Sequence, residues 1–300
     1  MRAVVIGLGT QGYKRLKSLV KKNFFVCSVD PLNKDADEKK IASLEKYNYD
    51  TVFLCVPDNI KKKNIFFFLK KKKNVFVEKP LKLKNDELID IEKLANLQQV
   101  IFYVAYNHRF EPHLKTVKNH IKKKTIGKIY NLKMYYGNGT AKLVNKSWRQ
   151  KKLSIFDDLG SHLIDQLLFL FGQQKYKIHK KFKKKLENKN YDYSNIILSY
   201  NKYLVSLEVS YCSWQNTFQF YLIGSKGSIK IDNLCKWGPS TLQLQKRILP
   251  SGLPKILSRT IISSDPTWDK ELTFFNSLIT KKKINNLDKD KFIKNFLDKV

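Results

Sequence analysis

The stretch Ala3-Val4-Val5-Ile6-Gly7-Leu8-Gly9-Thr10-Gln11-Gly12 decides the fold. Its four apolar residues read as a short buried strand, and the three glycines that follow have separate tasks. Gly7 permits a tight turn, Gly9 lets the backbone approach a pyrophosphate, and Gly12 lets the next helix pack closely on the strand. Residues 13–22 continue with helical character, so Thr10 and Gln11 open a helix whose positive dipole end faces the phosphates. A second apolar run, residues 24–29, ends on Asp30, a side chain that can accept hydrogen bonds from an adenosine ribose. Glycine-rich turns occur in other α/β proteins; the strand–turn–helix–strand–acid order is what sets this one apart.

Outward from this turn, strand and helix signals alternate. Residues 50–56, 74–77 and 100–105 read as strands, and 59–72 and 85–98 as helices, the second with Leu88, Ile91, Leu94, Ala95 and Leu97 on its apolar side. Strands separated by helices imply parallel crossovers and a doubly wound sheet. The pattern then changes. A helix at about 112–124 leads to a strand at 126–136, and a helix at 158–171 ends at Gly172. Strands at 194–200, 203–213, 217–223 and 228–231 follow with little between them, which implies antiparallel pairing. Val205, Leu207 and Val209 alternate with Leu204, Ser206 and Glu208, a pattern for a sheet with one covered face. Two helices, at about 266–279 and 287–297, close the chain. The expected fold class is an α/β Rossmann domain plus an α+β domain with a largely antiparallel open sheet.

Composition narrows the function. With 300 residues, 42% of them hydrophobic, the chain has enough material for two domains with sizeable cores. No apolar run approaches the ~20 residues of a membrane span, and with a strand starting at Ala3 no leader peptide is expected. The net charge of +32 suggests nucleic acid. However, only Arg2, Arg15, Arg109, Arg149, Arg247 and Arg259 carry the guanidinium fork that phosphate readers favour. The lysines fall in short runs (61–63, 70–73, 122–124, 183–185, 281–283) along the whole chain, as solvated surface does. No dedicated nucleic-acid site is expected, although the field can draw in an anionic substrate. Cys27, Cys55, Cys212 and Cys235 lack CxxC spacing, and three of them lie in apolar runs, so free thiols in a reducing cytoplasm are expected. The five histidines show no metal-ligand spacing, and no metal is expected.

Three further segments can carry chemistry. Glu78-Lys79-Pro80 follows the fourth strand at the sheet edge where ligands bind. The proline restricts Lys79 and could hold a cis bond; an ordinary strand-ending turn accounts for the same residues. Asp158 and His162 are four apart near a helix start, with Asp165 one turn on. A carboxylate beside an imidazole raises its proton affinity and orients it for proton abstraction. A helix-capping aspartate and a surface histidine are the alternative. Tyr106-Asn107-His108-Arg109-Phe110 follows the fifth strand, and Ser147-Trp148-Arg149 sits in the polar loop before Asp158. Asn107, Arg109, Trp148, Arg149 and Asp165 are the candidate substrate contacts, the arginines alternatively forming surface ion pairs.

Taken together, the glycine turn, Glu78-Lys79-Pro80, Tyr106-Asn107-His108-Arg109-Phe110 and Asp158-Leu159-Gly160-Ser161-His162-Leu163-Ile164-Asp165 resemble the Gfo/Idh/MocA family, which includes glucose–fructose oxidoreductase and inositol dehydrogenase. The resemblance covers nearly the whole chain. It implies an NAD(P)-binding Rossmann domain over residues 1–110 and a substrate and oligomerisation domain with an open mixed sheet over 111–300. It further implies a cytoplasmic homodimer or homotetramer that moves a hydride between nicotinamide and a secondary alcohol of a sugar, inositol or nucleotide sugar. By the same resemblance, Lys79 would hold the reacting oxygen, His162 would be the general acid/base, Asp158 would touch the substrate hydroxyl and tune His162, and Val56, Pro57 and Glu78 would line the cofactor. Asp30 favours NAD, with Lys34 leaving NADP possible. Two departures stand out. Lys152-Leu153-Ser154-Ile155-Phe156-Asp157 lacks the glycines common before the motif aspartate, and Lys61 replaces a common histidine. A non-catalytic dinucleotide-binding regulatory protein is the alternative those departures leave.

Overall fold

The structure is a computed structural model and describes residues 1–145 and 153–300. The chain divides into two compact units, Met1–Asn107 with Thr267–Asn295, and His108–Pro266 with Phe296–Val300. The sequence boundary at 110 thus lies three residues from the structural one, whereas residues 267–295, grouped by sequence with the second domain, belong to the first unit.

In the first unit, β1 (Ala3–Ile6), β2 (Phe25–Val29), β3 (Thr51–Leu54), β4 (Asn74–Glu78) and β5 (Phe102–Ala105) form a parallel sheet in the order β2-β1-β3-β4-β5. Helices α1 (Thr10–Lys21), α2 (Asp58–Lys70) and α3 (Asn85–Leu97) make the crossovers. Every residue of β1 and β3 is buried, the mark of parallel strands covered on both faces. The register aligns Val29, Ile6, Leu54, Val77 and Val104 in one row across the sheet. Asp30, Gly7, Cys55 and Glu78, the next residues along, therefore reach the carboxyl edge side by side. The tail helix Thr267–Thr280 joins this unit because Leu272 and Phe275 complete its core with Phe53, Phe76 and Tyr103. Phe275 meets Phe53 edge-on at 5.8 Å between ring centroids. Full burial of such a side chain contributes roughly 1.5–3 kcal/mol, enough to decide where a helix docks.

The second unit holds an eight-stranded sheet, in order β13-β12-β11-β10-β6-β9-β8-β7. Its strands are β6 (Ile129–Gly137), β7 (Tyr176–Lys184), β8 (Tyr193–Tyr200), β9 (Tyr203–Ser210), β10 (Thr217–Gly224), β11 (Gly227–Asp232), β12 (Ser240–Ile248) and β13 (Gly252–Ile261). Only β6 and β9 pair in parallel. The alternation read in β9 holds: Val205, Leu207 and Val209 are buried and Leu204 is exposed. β6 begins later than the sequence suggests, because Lys124 and Gly127 take positive φ and turn the chain first. β7, β12 and β13 were not expected. β7 is nearly all exposed and carries lysines along a sheet edge, which guards that edge against further pairing. Helix α4 (Pro112–Lys122), the short α5 (Ala141–Asn145) and α6 (Ser161–Phe171) belong to this unit, and Gly172 ends α6 at φ 69°. A single π-helical turn, Phe156–Gly160, leads into α6 and contacts β6 and β9. The tail helices, numbered in chain order, are α7 (Thr267–Thr280) and α8 (Asp288–Leu297).

Candidate active site

In the first unit, Gly7 turns at φ 90°, and a Cβ there would lie 2.5 Å from the Cys55 carbonyl oxygen. A Cβ on Gly12 would lie 1.9 Å from the Gly7 carbonyl oxygen, so α1 starts directly over the turn. Gly9 is different: a Cβ there would meet nothing within 4 Å. Gly9 and Thr10 are exposed, Gln11 is half-buried, and α1 starts with no side-chain cap and no acidic residue in its first turn. Backbone donors, a positive dipole end and open space over Gly9 fit a dinucleotide pyrophosphate.

Asp30 ties this turn to the loop after β2. Its Oδ2 accepts from the Leu8 amide at 2.8 Å, and its Oδ1 from the Leu32 and Asn33 amides at 2.8 and 3.0 Å. Burial works to raise this carboxyl, but the three amides outweigh it and hold it below the usual carboxylate range. The tie is therefore intact above the ordinary carboxylate pKa of about 3.9 and is lost as pH falls through the lower folded value. With three of its roughly four acceptor sites used internally, Asp30 retains about one for a ribose hydroxyl.

At the neighbouring strand ends, Val56 is buried and Pro57 caps α2. The Glu78 carboxylate accepts from Arg15 Nε at 2.6 Å, and Arg15 also pairs with Glu271 at 2.8 Å. Lys79 is half-buried, and its bond to Pro80 is cis. Asn107 donates to Thr267 Oγ1 at 2.8 Å, joining the end of β5 to the start of α7.

In the second unit, Asp158 lies in the π turn and His162 in the first turn of α6, both buried. π turns frequently mark functional positions. The Tyr211 hydroxyl donates to Asp158 Oδ2 at 3.0 Å. A Cβ on Gly160 would lie 2.5 Å from the Phe156 ring, so the turn's close wrap needs this glycine. The His108 ring stacks on His162, centroids 3.8 Å apart and planes 15° apart, and Lys236 Nζ lies 2.6 Å from His108 Nε2. An ammonium has only donors, so His108 Nε2 is the acceptor. His108, part of the segment after β5 but not among the candidate contacts, and Lys236 come to His162 only through tertiary structure, His108 lying 54 residues from His162 along the chain and Lys236 lying 128 from His108. Arg109 and Asp165 form a two-pronged pair, one prong being Nε to Oδ2 at 3.0 Å. That pair braces the segment after β5 against α6 and gives both residues a structural role. Trp148 and Arg149 lie outside the described residues.

Two family models match the chain. Residues 1–106 match the oxidoreductase family model for the NAD-binding Rossmann fold, and residues 114–230 match the GFO/IDH/MocA C-terminal domain. The chain belongs to the GFO/IDH/MocA family. Among curated relatives of this GFO/IDH/MocA protein, scyllo-inositol 2-dehydrogenase (NADP(+)) IolW of Bacillus subtilis is 26% identical over 173 residues, 55% of this chain and 48% of that protein. Myo-inositol 2-dehydrogenase of Thermotoga maritima is 28% identical over 134 residues, 44% of this chain and 39% of that protein. The chain thus spans about half the length of the first relative and less of the second. Levoglucosan dehydrogenase in complex with NADH shares the fold, with a TM-score of 0.84 at 16% identity over 99% of this chain and 95% of that one. UDP-N-acetylglucosamine 3-dehydrogenase of Acidithiobacillus ferrooxidans does so with a TM-score of 0.80 at 14% identity, over 99% and 96%.

Proposed function

We propose that this GFO/IDH/MocA protein is an NAD(P)-dependent oxidoreductase that moves a hydride between nicotinamide and a secondary alcohol or ketone of a sugar-like substrate: a sugar, an inositol or a nucleotide sugar. The observation that carries this reading is the register of the parallel sheet. It delivers Glu78-Lys79 to the same edge as the open turn at Gly7, Gly9 and Gly12. The nicotinamide, when bound, supplies the hydride acceptor or donor. Lys79 Nζ holds the reacting oxygen, its positive charge favouring the alkoxide that develops there. His162 takes or returns the hydroxyl proton, and Asp158, fixed by Tyr211, contacts the hydroxyl and sets the imidazole. Val56, Pro57 and Glu78 line the cofactor. The names of these curated relatives, dehydrogenases of inositols, support a polyol substrate.

NADH titration followed by fluorescence, and absorbance screens of inositols, sugars and nucleotide sugars, test the reading. Saturable NADH binding with turnover of at least one polyol is expected. Binding without turnover across the panel would favour a non-catalytic dinucleotide-binding protein. Asp30 carries the NAD preference in this proposal. Asp30→Ala is expected to weaken NAD by about ten- to a hundredfold, the range for losing a hydrogen bond to a charged group, and to narrow the gap to NADP. Unchanged affinity and preference would remove Asp30 from cofactor selection.

Free thiols at all four cysteines support a reducing cytoplasm, and burial pushes the Cys27 thiol up to about 12, away from nucleophilic use. No helix of the described residues is long and apolar enough to cross a membrane. Exposed Leu253, Ile256 and Leu257 on β13 support a homodimer or homotetramer.

A further inference from the structure

We propose that Lys61 is a positioning residue that clamps the backbone on both sides of Lys79. The inference rests on the reading of Lys79 as the group that holds the reacting oxygen. Among 52 lysines, given 58 Lys+Arg with six Arg, Lys61 is only 4% exposed. Its ammonium has three donors, and three acceptors meet it: Asp58 Oδ1 at 2.7 Å, the Glu78 carbonyl at 2.7 Å and the Pro80 carbonyl at 2.9 Å. The two carbonyls belong to the residues before and after Lys79. Glu78 is held from a second direction, because its carboxylate accepts from Arg15. Residue 78 is thus fixed by main chain and side chain, and residue 80 by main chain, leaving the backbone of Lys79 little freedom.

Burying an ammonium is costly, and the cost has to serve something. Burial lowers the proton affinity of Lys61, and Asp58 and Glu78 work against that loss. An apolar side chain would fill the same volume from α2, whose Ile65, Phe68 and Leu69 are also buried. It would, however, leave two buried carbonyls without this donor. Asp58, at the start of α2, supplies the countercharge three residues before Lys61, so the clamp is built within one helical turn and reaches across to the strand end.

The test compares Lys61→Met with wild type, Lys79→Met and the double variant, all as full chains with NADH bound. Hydrogen exchange at residues 78–82 is expected to rise in Lys61→Met, with the rest of the parallel sheet unchanged. On a substrate found in the panel, kcat falls about 100-fold, the effect of a misplacement near 1 Å, while KM and NADH affinity stay within about threefold. The double variant turns over no more slowly than Lys79→Met, since Lys61 acts only through Lys79. Lys61→Gln, whose amide still offers two donors, shows a smaller loss and keeps the comparison available if the methionine variant does not fold. Unchanged exchange at 78–82, full kcat in Lys61→Met where Lys79→Met has lost it, or a further loss in the double variant each overturns the clamp. Full turnover in Lys79→Met overturns the reading of Lys79 instead, and hydrogen exchange then decides the clamp alone.

Discussion

Lys79→Met is expected to leave a protein that binds NADH within about threefold of wild type and turns over about 10²–10³ times more slowly, the range for losing one donor aimed at a developing oxyanion. Methionine keeps the length and the apolar stem but removes the ammonium. The cofactor contacts assigned to Gly7, Gly9, Gly12 and Asp30 come from other strand ends of the same row, so affinity and turnover separate. His162→Asn is expected to show the same split, and the combination to cost little more than the worse single change, because groups acting in one step are not additive. Isothermal titration with NADH beside initial-rate kinetics measures both. Near-normal turnover in Lys79→Met removes the lysine from the chemistry, and a parallel collapse of NADH binding makes it a cofactor residue.

The first unit was legible because its signals are local. Each parallel strand is a short apolar run, and Gly7 and Gly12 meet steric demands within a few residues of themselves or at the adjacent strand end, while Gly9 keeps the space over the turn open. The tail helix α7 was legible as a helix but not as part of this unit, since what assigns it is the contact of Phe275 with Phe53 and Phe76, residues that lie hundreds of positions earlier. In the second unit the spacing of Asp158 and His162 could be read, whereas the ring that covers His162 could not. His108 reaches it only through the fold, and its partner Lys236 lies 128 residues away, in the short 3-10 turn Cys235–Trp237, with no motif. Arg109 and Asp165 were candidate substrate contacts, Arg109 alternatively one half of an ion pair, and in the structure they pair with each other across 56 residues. Lys61 was noticed only as a departure. In a chain so rich in lysine a buried one carries no compositional signal; the sole local sign was an aspartate three residues earlier at a helix start. β13 is exposed along nearly its whole length, so it has no buried face to write a period into the sequence.

Arg15→Met is expected to produce the largest stability loss. Arg15 is buried between the rings of Phe76 and Trp268, at 4.4 and 4.2 Å, and it is the cation between Glu78 and Glu271. Burial raises the Glu271 carboxyl and Arg15 opposes that rise; burial likewise works against the Arg15 cation, and the two glutamates outweigh it. Methionine fills much of the space and leaves two buried carboxylates facing each other. Removing one partner of a buried pair costs about 3–5 kcal/mol, equivalent to a fall of about 10 °C in Tm for a domain of this size. The pH dependence separates this cause from a packing defect. A carboxyl whose folded pKa is raised binds its proton more tightly folded than unfolded, so its stability contribution is greatest below the ordinary glutamate value of about 4.3 and is lost as pH rises through the folded one. The gap in Tm between wild type and Arg15→Met is therefore expected to narrow from about pH 8 to pH 5, and adding Glu271→Gln to recover part of the loss. Calorimetry over that range decides it: a gap independent of pH would make Arg15 a packing residue. Because Arg15 and Lys61 hold the same Glu78 from its two ends, a confirmed charge defect also predicts looser exchange at residues 78–82. The stability of the first unit and the geometry around Lys79 then rest on one buried network.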